Sequence, residues 1–344
     1  MDERKGLHVV GNLIITRQSV VLAIILLALV IFPRVSIFAR PFPQHLMIMV
    51  LLYAMLGSAW NILGGYAGQF AFGHGLYFGL GAYTSTMLLL KLGVTPWLGM
   101  LAGGVLAVLV SIIVGYPTFR LEGRHFAIAT MSLAEITAVV FKNWPWVGEA
   151  IGLFLPLMPE SFANFQFHSS KLPYYYIVLG LLVITLITVY VIERSRPGYY
   201  FKAIRENPVA CRSLGISVAK YKQIAGAVSA FFTALAGTFY AQYVLYIDPV
   251  SVMQSFVSLL AILVAGMGGM GTLWGPTIGA VVLIPISELT RVHWGGGGRA
   301  VHLVYYGLLI MLIAAFQPQG LIGLLSRPKM KTEGRLRSGT ARGD

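Results

Sequence analysis

Long apolar runs recur from one end of this chain to the other and constrain its fold more than any other feature. They lie at roughly 18–38, 44–63, 76–91, 96–116, 125–142, 172–192, 223–246, 252–266, 276–290 and 301–316. A helix needs about 20 apolar residues to cross the ~30 Å hydrocarbon core of a bilayer. No water reaches that core, so each run must satisfy its own backbone hydrogen bonds, as an α-helix does. The expectation is an all-α polytopic membrane protein with about eight to ten transmembrane helices. Two runs are loosely set. The first has 13 unbroken apolar residues, Val20 to Phe32, before Pro33-Arg34, and the run at 252–266 is short and leads into glycines. The first run has no clear small-residue cleavage signal and is expected to stay as an anchor.

Composition excludes a water-soluble alternative. Apolar residues make up 57% and charged residues 11% of the 344, against about 25% charged in soluble domains. Such a surface needs lipid to solvate it. The net charge of +13 suits a rim facing anionic headgroups. The charges sit in short rims with no separate basic domain, which argues against nucleic acid as a partner. The single cysteine, Cys211, excludes an intramolecular disulfide and a cysteine-based zinc cluster.

Lys and Arg collect on the cytoplasmic side of membranes. With the N-terminus inside, the inner rims hold Arg4, Lys5, Arg17, Arg120, Arg124, seven basic residues between Arg194 and Lys222, and six after Ser326, which makes 18. The outer rims hold Arg34, Arg40, Lys91, Lys142, Lys171, Arg291 and Arg299, which makes 7. Both termini are therefore expected in the cytoplasm. The connection 143–171 is then the longest external one. Residues 1–325 form the transmembrane domain, and the basic tail 326–344 is expected to be disordered.

The segment RSRPGYYFKAIRENPVACRSLGISVAKYK, Arg194 to Lys222, is a basic loop between two long runs, with Glu206 its only acid. Pro208 can open a short helix after Asn207, and Gly215 can close it. A short helix held between two spans can fit a groove on a soluble partner. Arg205, Glu206, Asn207, Ala210, Cys211 and Gly215 are the candidate coupling residues.

Two segments break the apolar monotony. Asn61 to Ser85 carries seven glycines from Gly64 to Gly81, together with Asn61, Tyr66, Gln69, His74, Tyr83 and Thr84. Ala265 to Ala280 carries six glycines and Pro276. Irregular backbone survives at membrane depth only where protein or a water-filled cavity covers it. A pair of glycine- or proline-interrupted segments, one in each half of a chain, is a pointer to a translocation pathway. Close helix packing is the competing reading, because Gly75-x-x-x-Gly79, Gly99-x-x-x-Gly103 and Gly275-x-x-x-Gly279 all fit the small-residue packing motif. For the polar set from Asn61 to His74 the pathway reading is preferred.

Glu135 and Glu288 are the acids deepest in the runs. A carboxylate at the bilayer centre costs about 2.5–3.5 kcal/mol on insertion scales, so Glu135 must meet protein or a cavity. A structural hydrogen bond competes there with a contact to a cargo ammonium group. Glu288 lies nearer a span end. Asp248 can cap the next helix, with Pro249 at its first position.

Motifs for chemistry fail on their context. Gly266-x-Gly268-x-x-Gly271 fits a dinucleotide fingerprint, with Glu288 at a plausible distance, but no soluble βαβ unit surrounds it. There is no P-loop, H-E-x-x-H or G-x-S-x-G. The seven histidines are scattered singly, which argues against a metal site. No cofactor and no catalytic residue are expected.

The stretches WNILGGYAGQFAFGHGLYFGLGAYTS, AIRENPVACRSLGISVAKYKQIAGAVSAFFTALAGTFYA, GMGGMGTLWGPTIGA and FQPQGLIGLL together resemble the LivM-type permeases, over roughly residues 45–325. These are membrane subunits of ABC importers for branched-chain amino acids. The resemblance implies a non-catalytic permease of a prokaryotic inner membrane, with a LivH-type second permease, two cytoplasmic ATPases and an external binding protein. Ala210-Cys211-x-x-x-Gly215 is similar to the Ala-Ala-x-x-x-Gly part of the importers' coupling loop, with Cys211 in place of the second alanine and Val209 where some importers have glutamate. WPWVGEAIGLFLP, Trp144 to Pro156, departs from the Thr-Gly-Gly type segment of many relatives. Asn61, Tyr66, Gln69, His74, Tyr83, Thr84 and Glu135 are the candidate pathway residues. Urea or short amides are the alternative cargo. An ion-coupled carrier, a membrane-embedded enzyme and a channel are the alternatives from other classes.

Overall fold

The computed structural model describes residues 41–121, 123–294 and 320–325. The expected runs at 18–38 and 301–316 and the tail 326–344 lie outside the described residues. Each of the eight other runs is helical. The long helices are α1 (Pro41–Asn61), α2 (His74–Leu92), α3 (Pro96–Thr118), α4 (Arg124–Lys142), α5 (Leu172–Arg194) and α8 (Val218–Val244). Between α5 and α8 lie α6 (Arg196–Glu206) and α7 (Pro208–Ser213). The chain then forms α9 (Pro249–Met253), α10 (Ser255–Gly268), α11 (Gly275–Trp294) and the short α12 (Leu321–Leu325). Among the described residues, six helical stretches are long and apolar enough to cross a membrane: Pro41–Tyr66, Pro96–Thr118, Arg124–Lys142, Leu172–Arg194, Val218–Val244 and Pro249–Gly268. The apolar part of α11 is shorter, Gly275–Thr290. Helix α2 is diluted by its glycines and hydroxyls. The protein is a predominantly helical, multi-pass membrane protein.

Helix α1 sits at the centre, with Ile48, Leu52, Met55, Leu56, Ala59 and Trp60 all buried, and it packs against α5, α8, α10 and α11. Helix α2 packs against α3 and α8. Helix α3 shows how the bundle is sorted. Its small residues Gly99, Gly103, Gly104, Ala107, Ser111 and Gly115 are buried, while Leu98, Leu101, Val105, Leu109, Ile112 and Ile113 are exposed. Lipid solvates large apolar side chains as well as a core does, so the small residues take the helix contacts, where backbones approach closely. One close approach is at Gly81 of α2. A Cβ there would collide with the Ala234 carbonyl of α8, and a Cβ on Gly103 of α3 would in turn come within 3.1 Å of the Gly81 Cα. Thr238 Oγ1 donates to the Gly81 carbonyl at 2.9 Å, closing the contact.

The connection 143–171 carries structure of its own. Strands β1 (Leu153–Phe154) and β2 (Tyr246–Ile247) pair antiparallel, Leu153 with Ile247 and Phe154 with Tyr246, and tie it to the end of α8. Buried Gln166 accepts from Met158 N at 2.8 Å and donates to Pro156 O at 2.9 Å. Glu160 accepts from Ser169 Oγ and from the backbone N–H groups of Ser169 and His168. Those bonds, the Ser169 hydroxyl first, hold its carboxyl below the usual carboxylate pKa.

Two boundaries differ from the sequence reading. The run at 252–266 breaks at Gln254, whose backbone is extended (φ −66°, ψ 156°), and continues to Gly268. The basic loop contains two helices, since Pro197 starts α6 after Ser195, and Phe201 and Ile204, three apart, bury its inner face.

Candidate functional site

The first glycine segment starts as a defect in α1. From Ile62 to Tyr66 the helix widens into a π turn, a form that recurs at functional sites because it shifts the register of the backbone carbonyls. Trp60 Nε1 then donates to Ala71 O at 2.8 Å, which folds the following loop back against the helix. The second glycine segment, between α10 and α11, lies directly against this turn. Asn61 joins the two: its Oδ1 accepts from Gly271 N at 2.8 Å and its Nδ2 donates to Thr272 O at 2.9 Å. Both ends of one amide are used, so the side-chain orientation is fixed by its partners.

The basic loop reaches the same place. Asn207 accepts from Val209 N and Ala210 N, both at 3.0 Å, and caps α7. Gly215, at φ +78°, ends the turn that follows. Cys211 is buried with Ile204 and Val218, while Ala210, Arg212 and Ser213 are exposed. Arg205, in the last turn of α6, donates from Nη1 to the Gly65 carbonyl at 3.0 Å and from Nη2 to Glu206 Oε1 at 2.9 Å. A second tie is Tyr66 Oη, which donates to Glu193 Oε2 at 3.2 Å. Lys202 Nζ pairs with Glu193 Oε1 at 2.8 Å.

His74 opens α2 and is fully buried. Ser229 Oγ gives its only proton to the Ala59 carbonyl at 2.6 Å, so the His74 Nε2 partner at 2.7 Å must be the donor. The bonds clamp α1, α2 and α8 together. Next to it, Gly75 packs on the Met253 and Gln254 carbonyls and its N–H donates to Ser258 Oγ at 2.8 Å. The break between α9 and α10 is thus lined by α2. Glu135 meets the break from α4, accepting from Ser255 N at 3.1 Å and Ser255 Oγ at 2.7 Å. A carboxylate at the first turn of α10 is also favoured by the helix dipole.

The candidate pathway residues therefore fall in separate places. Asn61 ends α1 and Tyr66 ends the π turn, and both are buried. Gln69 is half-buried, with its amide near the Gly68 carbonyl at 3.4 Å. His74 is a helix clamp and Glu135 a helix cap. Tyr83 is buried with its ring edge on Phe141 at 5.0 Å, and Thr84 is half-buried. Both lie about 14 Å along α2 from His74, at 1.5 Å per residue. The sequence reading missed Ser229, Ser258, Gln254, Glu193 and Lys202. Ser229 and Ser258 carry the one available signal, hydroxyls inside apolar runs.

A family model described as branched-chain amino acid transport system / permease component matches residues 42–314. The high-affinity branched-chain amino acid transport system permease protein LivM of Salmonella typhimurium is 29% identical over 319 residues, covering 86% of this chain and 72% of that protein. The corresponding LivH of Escherichia coli is 24% identical over 294 residues, 81% of this chain and 92% of that protein. A nucleoside ABC transporter permease protein, NupC of Lactococcus lactis, is 26% identical over 202 residues, covering 54% and 62%. No solved structure matches. With spans, interrupted segments and a basic loop in one arrangement, and a family match over most of its length, the chain belongs to the permease components of branched-chain amino acid transport systems.

Proposed function

We propose that this chain is the membrane subunit through which an ATP-driven importer moves branched-chain amino acids handed over by an external binding protein. Its partners in this reading are a LivH-type second permease and two cytoplasmic ATPases. The ATPases dock on α7, and neither chemistry nor nucleotide binding resides in the chain itself. The observation that carries the reading is the lodging of α6 against the interrupted membrane segments through Arg205, with the capped, exposed α7 directly after it. A push on α7 from the water side has a short path into the bundle, which suits rigid-body rocking of packed helices. The charge split of 18 to 7 supports this loop and both termini on the cytoplasmic side. Likeness to LivM supports the cargo. In this proposal Gln69, Tyr83, Thr84 and the α9–α10 break line the route when the helices part, and Asn61, Tyr66, His74 and Glu135 hold the walls.

The test is uptake by the complete complex in vesicles, with ATP on the loop side and leucine, urea and acetamide competing. Competition by leucine alone supports the reading, and dominance by urea or acetamide replaces the cargo. Uptake without ATPases would make the chain an ion-coupled carrier or a channel. A second arm is Gly215→Val. Nothing lies within 4 Å of a Cβ at Gly215, so the change acts only through its φ of +78°, which a β-branched residue resists by roughly 1–2 kcal/mol. The expected outcome is weaker co-purification with the ATPases and reduced cargo-stimulated hydrolysis.

A further inference from the structure

We infer that Arg205 is the positioning residue that carries movement of the Arg194–Lys222 loop into both glycine segments at once. The inference rests on reading that loop as the ATPase-docking element. Three backbones converge on this one side chain. Its guanidinium donates to the Gly65 carbonyl in the π turn at 3.0 Å. A Cβ added at Gly68 would come within 2.7 Å of Arg205 Cγ, and one at Gly271 within 2.5 Å of its Nη1. Gly68 and Gly271 both have positive φ, +69° and +74°, so each turn is shaped to let the arginine in. Gly65 lies so close to Gly271 N that a Cβ there would also meet it at 2.5 Å. Asn61 then fastens Gly271 and Thr272 to the same turn.

The position in the chain fits a transmitting role. Arg205 is two residues before Asn207, the cap of α7, so displacement of α7 reaches the guanidinium with almost no slack. On its outer side the guanidinium is held by the exposed carboxylate of Glu206, which leaves Nη1 aimed at Gly65. A π turn is a register defect that small backbone shifts can move, and glycines on either side let it move. The planar fork of arginine can hold Glu206 and the Gly65 carbonyl together, which the single ammonium of lysine does less well. The polar and glycine-rich pieces are therefore one joint, with Arg205 as its pin.

The experiment uses the complete complex in nanodiscs, in a Cys211→Ala background, with one spin label in the loop at Ser213→Cys and another in the second glycine segment at Met270→Cys. With Arg205 intact, ATP should change the mobility of both labels. In Arg205→Met the Ser213 label should still respond while the Met270 response is lost. Leucine moved per ATP should fall by about tenfold, the scale of one charge-assisted hydrogen bond. Arg205→Lys should restore part of both. A purely structural role would weaken the two labels together, and an undiminished Met270 response in Arg205→Met would overturn the inference. If Arg205→Met does not assemble, Arg205→Lys decides the matter, since a Met270 response as large as with arginine would also overturn it. A Ser213 label silent to ATP with Arg205 intact would instead remove the docking reading on which the inference stands.

Discussion

Glu135 sits on a membrane helix where an uncompensated carboxylate is costly, and both of its hydrogen bonds go to Ser255 at the first turn of α10. A glutamine offers the same acceptor oxygen to the same N–H and O–H. Glu135→Gln is therefore expected to keep transport within about twofold, the effect of weakening bonds worth about 1 kcal/mol or less net in a membrane. Uptake assays in vesicles check this, and a loss of tenfold or more would mean that the charge itself meets the cargo. Single residues were legible in sequence where their partners are near along the chain. Asn207, Pro208 and Gly215 announce a capped turn, and Asp248 with Pro249 announces another, which the structure completes as a capping box with Ser251. Asn61 was legible only as a polar group at membrane depth. Its partner at Gly271 is 210 residues away, and no local rule connects an amide to a backbone at that distance.

At the scale of elements, the spans were readable because each run must satisfy its own backbone, and all eight runs within the described residues are helical, the run at 252–266 in two pieces. The break at Gln254 was not readable, because the stretch Met253-Gln254-Ser255 carries neither glycine nor proline. The break is stabilised from outside, by Gly75 of α2 and Glu135 of α4. The glycine motifs supported two readings, and at Gly81 the geometry is packing. Gly81→Leu is expected to destabilise the purified complex by about 1–3 kcal/mol or more, as overpacking does, seen as a lower melting temperature in detergent. Gly180→Leu is the matched control, since nothing lies within 4 Å of a Cβ there, and its melting temperature should not fall. Equal losses in the two variants would show that leucine at any of these helical glycines is harmful for reasons other than the α2–α8 contact.

For the whole molecule, orientation follows from where the basic residues lie, and it can be checked without any partner. Ala163 is exposed in the connection 143–171 and Ser213 in the basic loop. In intact cells, with Cys211 replaced by alanine, an impermeant thiol reagent is expected to label Ala163→Cys and to spare Ser213→Cys until the membrane is opened. The opposite pattern would invert the molecule. Order of assembly follows from the same geometry. Ile204, Cys211 and Val218, with Ile216 and Tyr221, form a small apolar nucleus of their own, built from contacts close in sequence. Such contacts close early, while pairings across long loops wait for the chain between them. The loop therefore reaches its final shape while the amide of Asn61 still has no Gly271 to hold. A nascent chain halted before the second glycine segment would show water a finished basic surface on an unlatched bundle, so a cell that inspects this protein during synthesis learns nothing from the loop and everything from the latch.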